Sequence, residues 1–270
     1  MKDLVRIELT KIVKRKDFLL MISMIFIPIM YSIGLAMNSK SFTYVGKQKV
    51  YGLSFASEMY TFVYMCFIYF VILSVCVVRS LKGEIENKSI QLYAQRVNNR
   101  KRLYLAKNIA YVALVVGNAF AFIVISITCF YLFLIRRTDI AVPHLFKCGE
   151  ILYCFVNITA ILLCFVFTVN ISLFLSAYRK SFEAMGIFVF IWLAFMYLKE
   201  FSYIQYFVPI YYVEKIVNSD IRKCDWKSLL ILLILVFVYS VISIVLGWKK
   251  LKRVIYNEAN KYRNILILYS

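Results

Sequence analysis

His144 is the only histidine in 270 residues. A His-based catalytic triad would have to rest on that single imidazole, and a multi-histidine metal site cannot be built from it. The seven cysteines, Cys66, Cys76, Cys129, Cys148, Cys154, Cys164 and Cys224, stand at no metal-ligand or redox spacing, so they read as small apolar residues and not as a disulfide framework. Phosphate chemistry lacks its cradle as well: none of the 8 glycines is followed by Lys and then Ser or Thr, so there is no Walker A loop. Carboxylates that relay protons or sodium sit at mid-span, where desolvated charge is costly and kept for a role. Glu58, Glu150 and Glu183 instead fall near the ends of apolar runs, and Glu183, one turn from Arg179 and Lys180, reads as their ion-pair partner. The chain is expected to be no enzyme and to carry no cofactor or metal of its own.

The polar groups inside the apolar runs are mild. Asn118 lies in one run and Asn157, Thr168 and Asn170 in the next, with Asn157, Cys164, Thr168 and Ser172 on a single helical stripe at spacings of 7, 4 and 4. Small polar residues at that spacing let helices approach closely, and the same residues could line a pathway. Both roles stay open for Asn118, Asn157, Thr168 and Asn170.

The elements that would position these residues are membrane spans. The chain is 63% hydrophobic with only 3 Pro and 8 Gly and a mean hydropathy of +0.76, a makeup that excludes an ordinary soluble domain. Six apolar runs are long enough to cross a hydrocarbon core, roughly Phe18 to Met37, Met59 to Val78, Ile109 to Ile135, Ile151 to Ala177, Phe182 to Leu198 and Ser228 to Trp248. The formal charge of +19 would suit nucleic acid if it formed one basic face, but the basic residues sit between the runs, so no nucleic-acid partner is expected. With the N-terminus inside, the inner segments hold 22 Lys and Arg against 11 outside, which orients the chain with both termini in the cytoplasm. The expected fold is all-α and polytopic: an amphipathic helix over residues 1–17, a six-helix transmembrane domain over 18–248, and a basic cytoplasmic tail over 249–270.

Within this layout three stretches carry more than hydropathy. Val5, Leu9, Ile12 and Val13 make an apolar stripe beside Lys11, Lys14 and Arg15, as in an interfacial helix, although a basic tail that only sets topology reads similarly. Pro28 removes one ladder hydrogen bond from the first span and is expected to kink it. Residues 199–227 gather Tyr203, Tyr206, Phe207, Tyr211 and Tyr212 around Pro209, which reads as short interfacial or re-entrant helices or as an aromatic belt.

The inner loop over residues 79–107 is the most specific. It runs Lys82-Gly83-Glu84-Ile85-Glu86-Asn87-Lys88-Ser89-Ile90-Gln91-Leu92, then Asn98-Asn99-Arg100-Lys101-Arg102, and reaches Lys107 as the third span opens. Ile85, Ser89, Leu92 and Tyr93 share one helical face, and such a face needs lipid or a soluble partner to cover it. The basic cluster Arg96, Arg100, Lys101 and Arg102 would hold that end at an anionic leaflet.

This loop resembles that of the membrane subunits of type-2 ATP-binding-cassette (ABC) exporters, where an acidic Gly-Glu-x-Glu-x-x-Ser/Thr-x-x-Leu run precedes a basic run ending in Lys. The N-terminal amphipathic helix, the six spans, the short loop Ser176 to Ser181 and the aromatic segment before the last span resemble that family too. Tyr93-Ala94-Gln95 departs from it, since a small or Pro-containing turn often follows there. The resemblance implies a coupling helix over Glu84 to Tyr93 that docks on a separate ATPase subunit, with Glu84, Ile85, Glu86, Ser89, Leu92 and Tyr93 as docking residues and ATP and Mg held by that partner. It also implies a second permease copy or paralogue, membrane lipid around the assembly, and export of an amphipathic or lipophilic cargo such as an antimicrobial peptide, a bacteriocin or a drug. Abundant Lys, Ile and Tyr with little Pro fit a bacterial inner membrane. The alternative function is a membrane scaffold or assembly factor that uses the same loop to hold a soluble partner without transport.

Overall fold

The computed structural model describes residues 1–37, 49–87, 100–219 and 224–268, and its elements are helices. Helix α1 covers Lys2–Val13. The first span, Asp17–Ala36, is helix α2 (Asp17–Ile22), a 3-10 turn (Ser23–Ile25) and helix α3 (Phe26–Ala36). Pro28 has no N–H to donate one turn back to Met24, and the tighter turn falls where that bond is missing. Helices α4 (Gly52–Met65) and α5 (Phe67–Glu86) follow, then α6 (Arg100–Cys129), whose end widens into a π turn over Phe130–Leu134. Helix α7 is Ile151–Tyr178, α8 is Ser181–Leu198, α9 is Pro209–Val217 and α10 is Trp226–Leu268. Among the described residues five helical segments are long and apolar enough to cross a bilayer, and the bent pair α4–α5 makes a sixth if it counts as one span. The chain is an α-helical, polytopic membrane protein.

Helix α7 is the post around which the others stand. In its most apolar stretch 61% of residues are buried, against 17% to 33% in the other four unbroken spans, so its apolar surface faces the rest of the chain while much of theirs is left uncovered by it. It packs most extensively on α10 and α5. Cys164, Thr168 and Ser172 are wholly buried on its surface, small enough for backbones to approach, and Ser172 meets Ser74 of α5 at 3.0 Å.

The second span departs from the expected straight helix over 59 to 78. The chain bends by 71° at Cys66, whose ψ of 91° is extended. Neither Pro nor Gly stands at the break. Large rings fill it instead: Tyr64 meets Phe70 across the bend at 5.8 Å, and Phe70 stacks on Trp192 at 4.0 Å and on Phe165 at 4.9 Å. Tertiary packing thus sets the bend.

The opposite ends of the bundle differ in character. At the loop end, Val50 pairs with Ala141 in a single β-bridge, and Leu53 N donates to the Leu145 carbonyl at 2.8 Å, tying the 135–150 connection to the start of α4. Helix α9 begins on Pro209, as suits a first helical position, and buries Ile210, Val213 and Ile216 against α7 and α10. Lys199 binds both oxygens of Glu214 at 2.6 Å and closes that segment, while Tyr203 and Phe207 stay exposed. Among its described residues, 199–219 and 224–227, the segment holds a short packed helix and exposed aromatic side chains. At the other end lies α1. There α10 continues beyond its span as one 43-residue helix, roughly 64 Å at 1.5 Å per residue, so the backbone over 249–268 is helical too.

Candidate functional site

Helix α1 lies on α6 and buries Glu8 and Ile12, four residues and so one turn apart. Glu8 meets the start of the third span. Lys107, 1% exposed, places its Nζ 2.7 Å from Glu8 and 3.0 Å from Glu84, the carboxylate in the last turn of α5. Lys11 reaches Glu8 at 2.6 Å and Glu84 at 3.9 Å, and Arg15 reaches Glu84 at 3.4 Å. Two carboxylates and three cations thus join α1, α5 and α6. Beside them Arg79 pairs with Asp17 at 3.3 Å, linking α5 to α2.

The electrostatics follow from burial. Loss of water alone would raise the Glu8 carboxyl, but the charge and hydrogen bonds of Lys107 and Lys11 outweigh that and hold it below the usual carboxylate range. A buried ion cluster of this kind adds little net stability over an apolar core, yet losing one member strands the rest. Its geometry is therefore sensitive to any relative movement of the three helices.

Three of the six docking residues lie within the described residues. Glu84 and Ile85 are buried, 7% and 5% exposed, because α5 runs without interruption to Glu86 and its last turn packs inside the bundle. Glu86 is exposed. Ser89, Leu92 and Tyr93 lie outside the described residues, as does Arg96. The helix that carries the third apolar run begins ahead of it, at Arg100, which draws Lys107 into the helix.

The four mid-span polar residues are engaged within the chain. Asn118 donates to the Met21 carbonyl at 2.7 Å and to the Tyr69 hydroxyl at 3.0 Å, and Asn157 donates to Ser57 and Thr61 at 2.9 and 2.8 Å. Thr168 bonds back to the Cys164 carbonyl at 3.0 Å. Asn170 accepts from Asn108 at 2.6 Å and donates to Ser240 at 2.8 Å, joining α6, α7 and α10. Asn118, Asn157 and Asn170 thus tie one helix to another, while Thr168 bonds within its own. The expected pair Arg179–Glu183 forms at 3.9 Å with both side chains exposed, so its contribution is small.

The sequence reading missed Glu8 and took Lys107 only as the last of a basic run. The signal was present. Glu8 stands three residues after Val5 and four before Ile12, inside the apolar stripe of α1, and Lys107 is flanked at three and four positions by Leu103, Ala110 and Tyr111. A charge within an apolar face needs a buried partner.

Fold and site together define a polytopic α-helical membrane protein with a buried ion cluster where an N-terminal amphipathic helix meets two spans. No protein-family model matches the chain and no curated protein sequence matches it.

Proposed function

We propose that the chain is the permease subunit of a type-2 ABC exporter of the bacterial inner membrane, with both termini cytoplasmic. It works with a second copy or a paralogue, and a separate ATPase subunit holding ATP and Mg drives it. The observation that carries this reading is the meeting of Glu84 and Lys107 at 3.0 Å. These residues belong to the acidic and basic halves of the loop pattern that resembles this family, twenty-three positions apart in sequence, and in the fold they share one ion cluster with α1. An ATPase that presses on Glu86 and on the residues after it acts on the end of α5. The force passes from Glu84 to Lys107 of α6 and Glu8 of α1, and through the hydrogen bonds of Ser74 and Asn108 to α7. The bend at Cys66 lets α5 tilt without dragging α4.

A cavity of about 300 Å³ beside that bend, walled by Tyr64, Phe67, Trp192 and Met196 with Glu214 at its edge, suits an amphipathic cargo. The docking test is direct. When the chain is co-expressed with the ATPase encoded beside it, Glu86→Lys and Leu92→Asp should each weaken association about tenfold or more and abolish cargo-stimulated hydrolysis. If both variants keep association and stimulation, the reading is wrong.

Orientation has its own measurement. Cys148 is an exposed thiol in the 135–150 connection. A membrane-impermeant maleimide should label it in intact cells, with most of the label lost in Cys148→Ser. Labelling that appears only after permeabilisation reverses the orientation.

A further inference from the structure

At the α1 end a cleft of about 630 Å³ opens between the α1–α2 junction, the last two turns of α5 and the first turn of α8. Its wall carries charges of both signs, and most of them neutralise one another: Arg79 with Asp17 at 3.3 Å, Arg15 with Glu84 at 3.4 Å. Two lining residues are left. Lys16 and Glu86 are exposed, and among the described residues neither has an ion-pair partner. In the chain without its ATPase the cleft therefore offers one uncommitted cation and one uncommitted anion, together with the remaining N–H groups of the half-exposed Arg79.

Its depth is set by the helices that bound it. Arg79 is the first charge after the apolar stretch that begins at Phe67, and Ser181 opens α8, so the mouth lies where spans leave the hydrocarbon. Below it the lining turns apolar. Phe182 is 87% exposed and Met185 lies one turn further into the span. At Gly83 a β-carbon would meet nothing within 4 Å, so the cleft is open down to the α5 backbone there.

We propose that this cleft binds a zwitterionic phospholipid. Its phosphodiester lies against Lys16 and Arg79, its ammonium against Glu86, and one acyl chain follows Phe182 and Met185. An anionic headgroup satisfies the cation and leaves Glu86 facing like charge. Inorganic phosphate supplies neither an ammonium nor a chain. Only a ligand with both charges and an apolar tail uses the whole lining.

The test uses the full chain, purified in mild detergent and stripped of lipid, then offered phosphatidylethanolamine, phosphatidylglycerol or inorganic phosphate. Native mass spectrometry should show phosphatidylethanolamine retained about tenfold better than phosphatidylglycerol, and it alone should raise the thermal midpoint. Gly83→Leu fills open space and Lys16→Glu reverses an exposed charge, so each should keep the lipid-free midpoint and lose most retention. Glu86→Gln should keep binding and erase the preference between the two lipids. Undiminished retention in Gly83→Leu and Lys16→Glu overturns the site. Equal retention of both lipids by the unaltered chain overturns the ammonium contact, and an equal midpoint shift with inorganic phosphate makes it a site for small anions.

Discussion

Lys107→Met should destabilise the protein by about 3–5 kcal/mol, seen as a lower midpoint of denaturation in detergent. Methionine fills much of the volume, so packing is not the reason. Lys107 is 1% exposed and stands between Glu8 at 2.7 Å and Glu84 at 3.0 Å. Without it two carboxylates remain in the bundle, Glu8 with Lys11 and Glu84 with the more distant Lys11 and Arg15. Neutralising the survivors should reverse most of the loss, so the triple variant Lys107→Met, Glu8→Gln, Glu84→Gln should be more stable than the single one. Acid gives a second readout. The Glu8 carboxyl is lowered in the fold, so its contribution is fully present above about pH 4.5 and is lost as pH falls through the lowered value. Lys107→Met removes the strongest of the influences that lower it and should move that acid loss to higher pH. A cost below about 1 kcal/mol, the value of an exposed pair, together with an unchanged acid profile, would show that the cluster is not buried.

What could be read from the sequence follows the physics of each signal. The spans over 151 to 177 and 182 to 198 are recovered almost residue for residue, because hydropathy and the flanking charges Glu150, Arg179, Lys180 and Lys199 bound them sharply. The break at Cys66 left no trace, since the residues on both sides are apolar and the bend is made by Phe70, Phe165 and Trp192 arriving from elsewhere in the chain. Arg100, Lys101, Arg102 and Lys107 read as one basic loop, yet the helix that carries the third apolar run starts at Arg100. Charge counting has no means of separating an exposed lysine from one that Glu8 and Glu84 pull inside. Of the site, Glu84 reads from the sequence as a surface residue of the inner loop, and the fold buries it. Only its distance to Lys107 reveals it as an internal tie.

Gly247→Leu should separate the last span from the third, at a cost of about 3 kcal/mol, the upper part of the usual range for overpacking. Glycine within a helix sacrifices about 1 kcal/mol relative to alanine, so its place in the middle of α10 asks for a reason. Tyr104 of α6 supplies it. A β-carbon at position 247 would collide with the Tyr104 hydroxyl and ring. That ring is 1% exposed and its hydroxyl finds no hydrogen-bond partner among the described residues, so it has little free room to swing into. The contact lies close to where Lys101 sits over the Trp248 ring at 5.9 Å and Tyr178 reaches the Leu246 carbonyl at 3.4 Å, which makes it part of the seam holding α10 on α6 and α7. The conservative variant separates sterics from propensity. Gly247→Ala gains helix propensity yet still meets the ring, and adding Tyr104→Phe removes the nearest atom together with an unsatisfied buried hydroxyl. A ring carbon still stands 2.6 Å from the new β-carbon, so that double variant should recover only part of the cost of Gly247→Ala. A double-mutant cycle of Gly247→Leu with Tyr104→Ala should give a favourable coupling of roughly 1–3 kcal/mol, because the leucine enters the space the ring leaves. Additive costs in that cycle would mean that the two helices do not meet at this point. A proteolytic probe of the α10 extension beyond Leu251 reads the same event independently: the extension should become more accessible in Gly247→Leu and recover when Tyr104→Ala is added.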